Sequence, residues 1–355
     1  MTKRKKVILR VSLLLLTFLL YLLFWPVPVD PEAWTPPVAL PYEGDYALNS
    51  KLEAIERIPV SGEGPETIIL DNQQQIYAGL NDGRILRIKS DQSTEVFTNT
   101  GGRPLGLCWD MEGNLIVADA IKGLLSVSKE GKIKVLTSSA DGVAFAFTDD
   151  VDIAKDGNIY FTDASTRFSF HNYKMDLIEN RPNGRLLLYD PKTQQTQVLL
   201  KNLYFANGIA LSPDQTFLLV NETSRYRVRR YWLTGEKKGT TDIFLDNLPG
   251  FPDGISSNGN DLFWIAVGAP RDPVLDTISP YPFLKKVVTR LPEFVQPKPQ
   301  RHIMALGVNA EGKVIHNLQD PQGKNIAFMS SVEQIGEMLY FGSFQDTALG
   351  RMKFP

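Results

Sequence analysis

Asp149-Asp150-Val151-Asp152-Ile153-Ala154-Lys155-Asp156-Gly157-Asn158-Ile159-Tyr160-Phe161-Thr162-Asp163 reads as two strands joined by a tight turn. Asp-Gly-Asn supplies residues that tolerate positive φ, which is a strong hairpin signal. The second strand, Ile159–Asp163, is apolar, β-branched and aromatic, with a polar end. An acid, Asp149, opens the first strand ten residues earlier. A carboxylate at the start of a buried strand is costly unless something pairs with it.

The second-strand pattern recurs along the chain. Ile76–Leu80, Leu115–Asp119, Leu218–Glu222, Leu262–Ala266 and Leu339–Ser343 have the same composition, and Asp110-Met111-Glu112-Gly113-Asn114 repeats the turn. Each is preceded by an apolar run. Most are followed by a third strand (Arg84–Lys89, Leu124–Lys129, Arg185–Asp190, Arg227–Leu233). A fourth often comes next (Glu95–Thr98, Ile133–Thr137, Gln197–Leu200, Asp242–Leu245). Four strands per unit and six units define an all-β chain, a six-bladed β-propeller. The last unit, Ser330–Phe354, has room for three strands. Lys51–Val60 is therefore expected to close the ring as its outer strand, which removes exposed sheet edges.

In a propeller the innermost strand of each blade runs along the central axis, so equivalent first residues meet there. Glu66, Asp149, Asn207 and Asp253 each lie about ten residues before a second-strand segment. They are expected at one height on four blades. Four oxygen donors with three negative charges suit a hard divalent cation, and Ca²⁺ ahead of Mg²⁺ because all the ligands are protein-held. Without a metal the three carboxylates would raise one another's pKa values.

Composition excludes several alternatives. The 355 residues carry a formal net charge of −2, so no basic excess points to nucleic acid. The single cysteine, Cys108, rules out a disulfide framework within the chain and reads as a small buried hydrophobe. The three histidines, His171, His302 and His316, form no H-x-H or H-x-x-x-H pair of the usual zinc site.

Residues 1–25 read as a basic flank (Lys3, Arg4, Lys5, Lys6) and a transmembrane signal anchor, nearly all apolar from Val7 to Trp25. The chain is then a single-pass membrane protein with a cytoplasmic N-terminus and the propeller on the periplasmic or other extracytoplasmic side. A cleaved signal peptide is the competing reading. Residues 26–50 form a Pro-rich linker, stiff and extended. The propeller takes 51–355.

Two insertions break the period, Ser165–Pro182 and Gly268–Arg301. In the second, Phe283, Leu284, Val287, Val288 and Leu291 share one helical face, with Lys285, Lys286 and Arg290 displaced from it. A packed helix acting as a partial lid is expected, with a patch on the bilayer surface as the alternative.

From Lys51 to Phe354 the chain resembles the strictosidine synthase-like, gluconolactonase and paraoxonase superfamily of calcium propellers, and within it the adipocyte plasma membrane-associated branch. The resemblance is carried by Gly64-Pro65-Glu66, Asp149-Asp150, Ile159–Asp163, Gly184–Asp190, Phe205-Ala206-Asn207-Gly208, Gly250–Gly254 and Leu339–Phe344. It implies a central Ca²⁺ held by Glu66, Asn207 and Asp253, with Asp149 where the family usually has Asn. It also sets limits. The paraoxonase catalytic histidine has no counterpart near Leu105, and the strictosidine synthase glutamate would fall near Ser330. The gluconolactonase style remains: hydrolysis of a lactone or aryl ester, with the ion polarising the carbonyl and Asp253, or else Asp149, acting as base. A non-catalytic, calcium-stabilised binding module is the alternative. The expected partners are a small-molecule ester or lactone and a membrane, reached through the N-terminal helix, with no nucleic acid.

Overall fold

The computed structural model describes residues 2–355. Six four-stranded antiparallel sheets form the blades of a propeller, joined by a small ribbon pairing Ser139–Ala140 with Val143–Ala144. The inner strands are Ile68–Leu70, Pro104–Trp109, Thr148–Ile153, Ala206–Leu211, Gly250–Ser257 and Met329–Ile335. The second strands are Ile76–Gly79, Leu115–Asp119, Ile159–Asp163, Phe217–Glu222, Leu262–Pro270 and Met338–Ser343. All six expected second-strand segments are therefore second strands. Glu56–Pro59 pairs antiparallel with Ala348–Lys353 and is the outer strand of the last blade, so the chain start closes the ring.

The apolar core lies between blades. Phe217 and Leu219 of the fourth blade pack with Phe263, Ile265 and Leu306 of the fifth. Ile116 and Leu124 of the second pack with Phe161 and Leu187 of the third. Ile58, Tyr340 and Leu349 of the sixth pack with Ile68 and Ile76 of the first, which seals the closure with side chains as well as backbone. At the turns between inner and second strands the aspartate carboxylate holds the loop. Asp110 Oδ1 accepts from Glu112 N at 2.9 Å and Asn114 N at 2.7 Å.

Helix Lys3–Phe24 is apolar, has no fully buried residue and is long enough to cross a membrane. The Pro-rich segment after it is extended but does not stand free as a stalk. It straps across the insertions of the propeller. Val29 and Pro31 are buried, Glu32 N donates to Glu179 O at 3.2 Å, and Trp34 N donates to Ser279 O at 3.1 Å. Proline-rich extended backbone leaves its carbonyls unpaired, and side chains of the propeller donate to them. Arg271 Nη2 reaches Pro37 O at 2.6 Å, and Lys285 Nζ reaches Glu32 O at 2.8 Å.

The insertions carry helices Tyr173–Glu179, Pro273–Ile278 and Pro282–Arg290. The face expected to pack on Pro282–Arg290 packs only in part, with Val288 buried and Val287 half-buried. Lys285, Val288 and Arg290 are buried, whereas Phe283 and Leu284 are exposed. Hydrogen bonding decides this. Lys285 serves the strap, and Arg290 donates to the last carbonyls of the N-terminal helix, Leu22 O at 2.8 Å and Trp25 O at 2.6 Å. Those carbonyls have no donor within their own helix.

Candidate metal centre

In each blade one residue stands two positions before the inner-strand residue that pairs with the middle of the second strand. Those register pairs are Ile68 with Ala78, Leu107 with Val117, Val151 with Phe161, Ile209 with Val220, Ile255 with Ile265 and Val332 with Phe341. The six residues are Glu66, Leu105, Asp149, Asn207, Asp253 and Ser330. In five blades the ladder slips at this position, between Pro104 and Gly106, Thr148 and Val151, Ala206 and Ile209, Pro252 and Ile255, and Met329 and Val332. A bulge turns a side chain out of the sheet's alternation, here toward the axis.

Glu66, Asp149, Asn207 and Asp253 all line one cavity of about 330 Å³ at this end of the axis. The structure thus brings the four sequence-expected residues together. Leu105, Phe147, Phe205 and Phe251 line its walls. Tyr173 and Leu177 from one insertion, and Leu275 and Gln296–Gln300 from the other, surround the mouth. The insertions therefore roof the site as a partial lid.

The backbone approach is tight. Glu66 O accepts from Ser330 Oγ at 2.9 Å and Ser331 Oγ at 2.8 Å, so the last blade grips the first beside the axis. A Cβ on Gly342 would overlap the Glu66 carbonyl. Gly64, at φ +69°, has Asn81 Oδ1 2.5 Å from where its Cβ would lie. Both positions beside Glu66 therefore require glycine.

Charge at the centre is only partly compensated. Burial raises the Asp149 carboxyl far above its ordinary value, with Asp253, Glu66 and Asp150 adding to the rise. Its Oδ2 is buried and has no partner among the described residues. Asp253 is also raised by burial and by Glu66, and a hydrogen bond from Asn207 opposes the shift. Glu66 is raised by burial, against the attraction of Arg103. Deeper on the axis burial pushes Asp150 up to about 7 and Asp152 to about 6.

Arg103 escaped the sequence reading. It is fully buried, ion-paired to Glu66 Oε2, and donates through Nη1 to Gly64 O at 2.8 Å. It sits two residues before Leu105, just as Phe147, Phe205, Phe251 and Phe328 sit two before Asp149, Asn207, Asp253 and Ser330. This second ring, aromatic in four blades and cationic in one, is readable once the axial positions are aligned.

The donor set fits a hard cation. It offers carboxylate and carboxamide oxygens only, one of them buried without a partner, and mutual repulsion that a cation would relieve. Among the described residues no three Asp, Glu, His or Cys side chains form a ready-made cluster. Asn207 is one of the four donors, and Arg103 holds Glu66.

The fold and this centre define a six-bladed propeller with an acidic axial cavity under an insertion lid. A family model described as strictosidine synthase matches residues 149–236, and one described as strictosidine synthase-like, N-terminal, matches residues 44–88. Protein strictosidine synthase-like 7 of Arabidopsis thaliana is 39% identical over 302 residues, which cover 82% of this chain and 80% of that protein. The adipocyte plasma membrane-associated protein of Bos taurus is 34% identical over 354 residues, 92% of this chain and 85% of its own. The chain belongs to the strictosidine synthase-like family. Among solved structures, a gluconolactonase from Xanthomonas campestris superposes with a TM-score of 0.63 at 15% identity, covering 85% of this chain and 89% of that one. The calcium-binding protein regucalcin from Agrobacterium tumefaciens does so at 0.58 and 11%, covering 83% and 90%. At these identities the likeness is one of fold.

Proposed function

We propose that this chain is a membrane-anchored, Ca²⁺-dependent hydrolase of lactones or aryl esters. The observation that carries the reading is the convergence of Glu66, Asp149, Asn207 and Asp253 from four blades on one roofed cavity with apolar walls. The gluconolactonase and regucalcin folds among the solved structures support it.

Glu66, Asp149, Asn207 and Asp253 would hold the Ca²⁺, which when bound supplies a Lewis acid for an ester carbonyl. Asp253 takes the proton of the attacking water, with Asp149 as the second candidate. Both carboxylates line the cavity where the ester would lie, within reach of a water at the ion. Asn207, on the same cavity wall as Asp253, would add a neutral carboxamide oxygen to the ion. Phe147, Phe205 and Phe251 exclude bulk water and receive the apolar part of the substrate. The basic Lys3–Lys6 flank stays cytoplasmic, and the propeller lies on the extracytoplasmic side.

The full chain in detergent should hydrolyse phenyl acetate or members of a small lactone panel with Ca²⁺ and stop on chelation. Asp253→Ala should remove turnover. Activity that survives both chelation and Asp253→Ala overturns the mechanism. The pairing of Glu66 with Arg103 favours a second reading, a non-catalytic propeller whose ion ties the blades together. Calcium would then raise the melting temperature with no substrate turned over.

A further inference from the structure

The helix Pro282–Arg290 presents two apolar side chains of its first turn outward, and its position says what covers them. Tyr21 Oη donates to Arg290 O at 3.1 Å, and Arg290 caps the end of helix Lys3–Phe24 through Leu22 O and Trp25 O. The helix is thus tied to the last turn of the apolar span. At that end of the span Tyr21 and Trp25 rings lie 5.8 Å apart, the aromatic signature of a bilayer interface. Exposed Phe283 and Leu284 lie in the first turn of the same helix, about 10 Å along it from Arg290, and the segment after the helix adds Phe294, 77% exposed, and Val295. Lys286, partly exposed, flanks them. The next residues, Gln296–Gln300, form the mouth of the axial cavity.

We propose that this rim, Phe283 and Leu284 with Phe294 and Val295, docks into the headgroup layer of the same bilayer that takes the N-terminal helix. The proposal rests on the anchor reading. The occupant is a lipid surface because the helix that carries the patch is tied through Arg290 to the end of the span, and a membrane holding the span has to pass beside it. An interfacial helix buries its apolar face about 5–10 Å into the headgroup boundary, with basic residues at its edge. The cavity mouth then opens beside the headgroups, and its ligand is an amphiphile that partitions into the membrane rather than a freely soluble sugar lactone.

The test uses the full chain in liposomes, in a Cys108→Ala background, with an environment-sensitive fluorophore at one introduced cysteine. Leu284→Cys and Phe294→Cys report on the rim. Met111→Cys, in an inner-to-second-strand turn at the opposite end of the blades, is the solvent control. Leu14→Cys reports on the span. Labels at 284 and 294 should emit to the blue of the label at 111 and be quenched by nitroxides carried on shallow lipid positions, whereas 111 should not be. A label at 14 quenched by nitroxides carried deep on the acyl chains, with labels at 284 and 294 unquenched by the shallow ones, overturns the docking and leaves the anchor standing. An unquenched label at 14 overturns both. Blue-shifted labels at 284 and 294 that lipid nitroxides do not quench mean that protein covers the patch, and also overturn the proposal.

Discussion

Replacing Arg103 with methionine separates the two ways in which the axial charge can be balanced. The guanidinium is fully buried, paired to Glu66, and hydrogen-bonded to Gly64 O. Methionine fills much of the same volume but leaves a buried carboxylate without its partner. Removing one member of a buried pair costs about 3–5 kcal/mol. Roughly 300 folded residues at about 2.1 cal/mol/K each give an unfolding entropy near 0.6 kcal/mol/K, so the melting temperature should fall by about 5–8 °C in chelator. Calcium at a hundred times its Kd returns about 2.7 kcal/mol to a protein that binds it. If the ion takes the Glu66 carboxylate, removing the guanidinium takes a positive charge from beside it, so the variant should bind Ca²⁺ more tightly than wild type and its deficit should shrink in Ca²⁺. Differential scanning fluorimetry of wild type and Arg103→Met, each in EGTA and in Ca²⁺, reads both quantities. A variant as stable as wild type in EGTA refutes the account of Arg103. An equal deficit with and without Ca²⁺ refutes Glu66 as a ligand.

Three further outcomes follow from particular residues. Asp176 is buried, accepts only from the neutral donors Ser165 Oγ at 2.6 Å and Asn183 Nδ2 at 3.0 Å, and burial pushes its carboxyl up to about 7. The folded chain therefore keeps a proton between about pH 4 and 7 that the unfolded chain has lost, and stability falls as pH rises through that window by at most about 1.4 kcal/mol per pH unit. Asp176→Asn should flatten that part of the slope, measured by urea unfolding at pH 5 and pH 7.5. Gly342→Ala puts a methyl into the Glu66 carbonyl, an overpacking that costs about 1–3 kcal/mol or more. It should also displace Glu66 and shrink the stabilisation that Ca²⁺ gives in the same fluorimetric assay. Trp34→Ala removes a ring that packs 5.8 Å from the ring of Tyr226 and lies under the Arg225 guanidinium. The strap should loosen by about 2 kcal/mol, and limited proteolysis should then cut between residues 26 and 43 far faster than in wild type.

How much of this was legible follows the physics of each element. Second strands such as Ile159–Asp163 are buried on both faces and punctuated by Asp-Gly turns, so composition alone locates them. The axial residues were legible because a repeat transmits register, and a constant spacing before each second strand put Glu66, Asp149, Asn207 and Asp253 at one height. The orientation of Pro282–Arg290 was not legible. Its amphipathic pattern is real, but Lys285 and Arg290 find their partners in backbone carbonyls of residues 22–32, which no side-chain pattern reports. The strap failed the reading for the same reason. Proline content announces extended backbone, while docking depends on Arg271 and Lys285, distant in the chain. Arg103 stands in Gly102-Arg103-Pro104, and nothing local to it announces Glu66, 37 residues earlier.

The lopsidedness of the axial ring bears on what the cavity can do. A symmetric scaffold offers six equivalent positions, and polar donors occupy only those of blades one, three, four and five on the cavity wall. The blade-six position, Ser330, turns its hydroxyl to the Glu66 carbonyl, and the blade-two position is the apolar Leu105, beside Phe147. Six acids would enclose an ion and leave no room for a substrate atom, as closed structural sites do. Four donors with a gap at Leu105, between the Glu66 and Asp149 blades, leave an approach along the apolar wall that Leu105 forms with Phe147. On the proposed reading an ester would bring its carbonyl to the acidic side while its hydrocarbon lies against Leu105 and Phe147, so the same asymmetry that breaks the ring would orient the substrate. Leu105→Asp, which adds a fifth axial donor, should therefore hold calcium at least as firmly as wild type while lowering turnover. A variant that turns over phenyl acetate as fast as wild type would show that the apolar side of the ring has no part in orienting it.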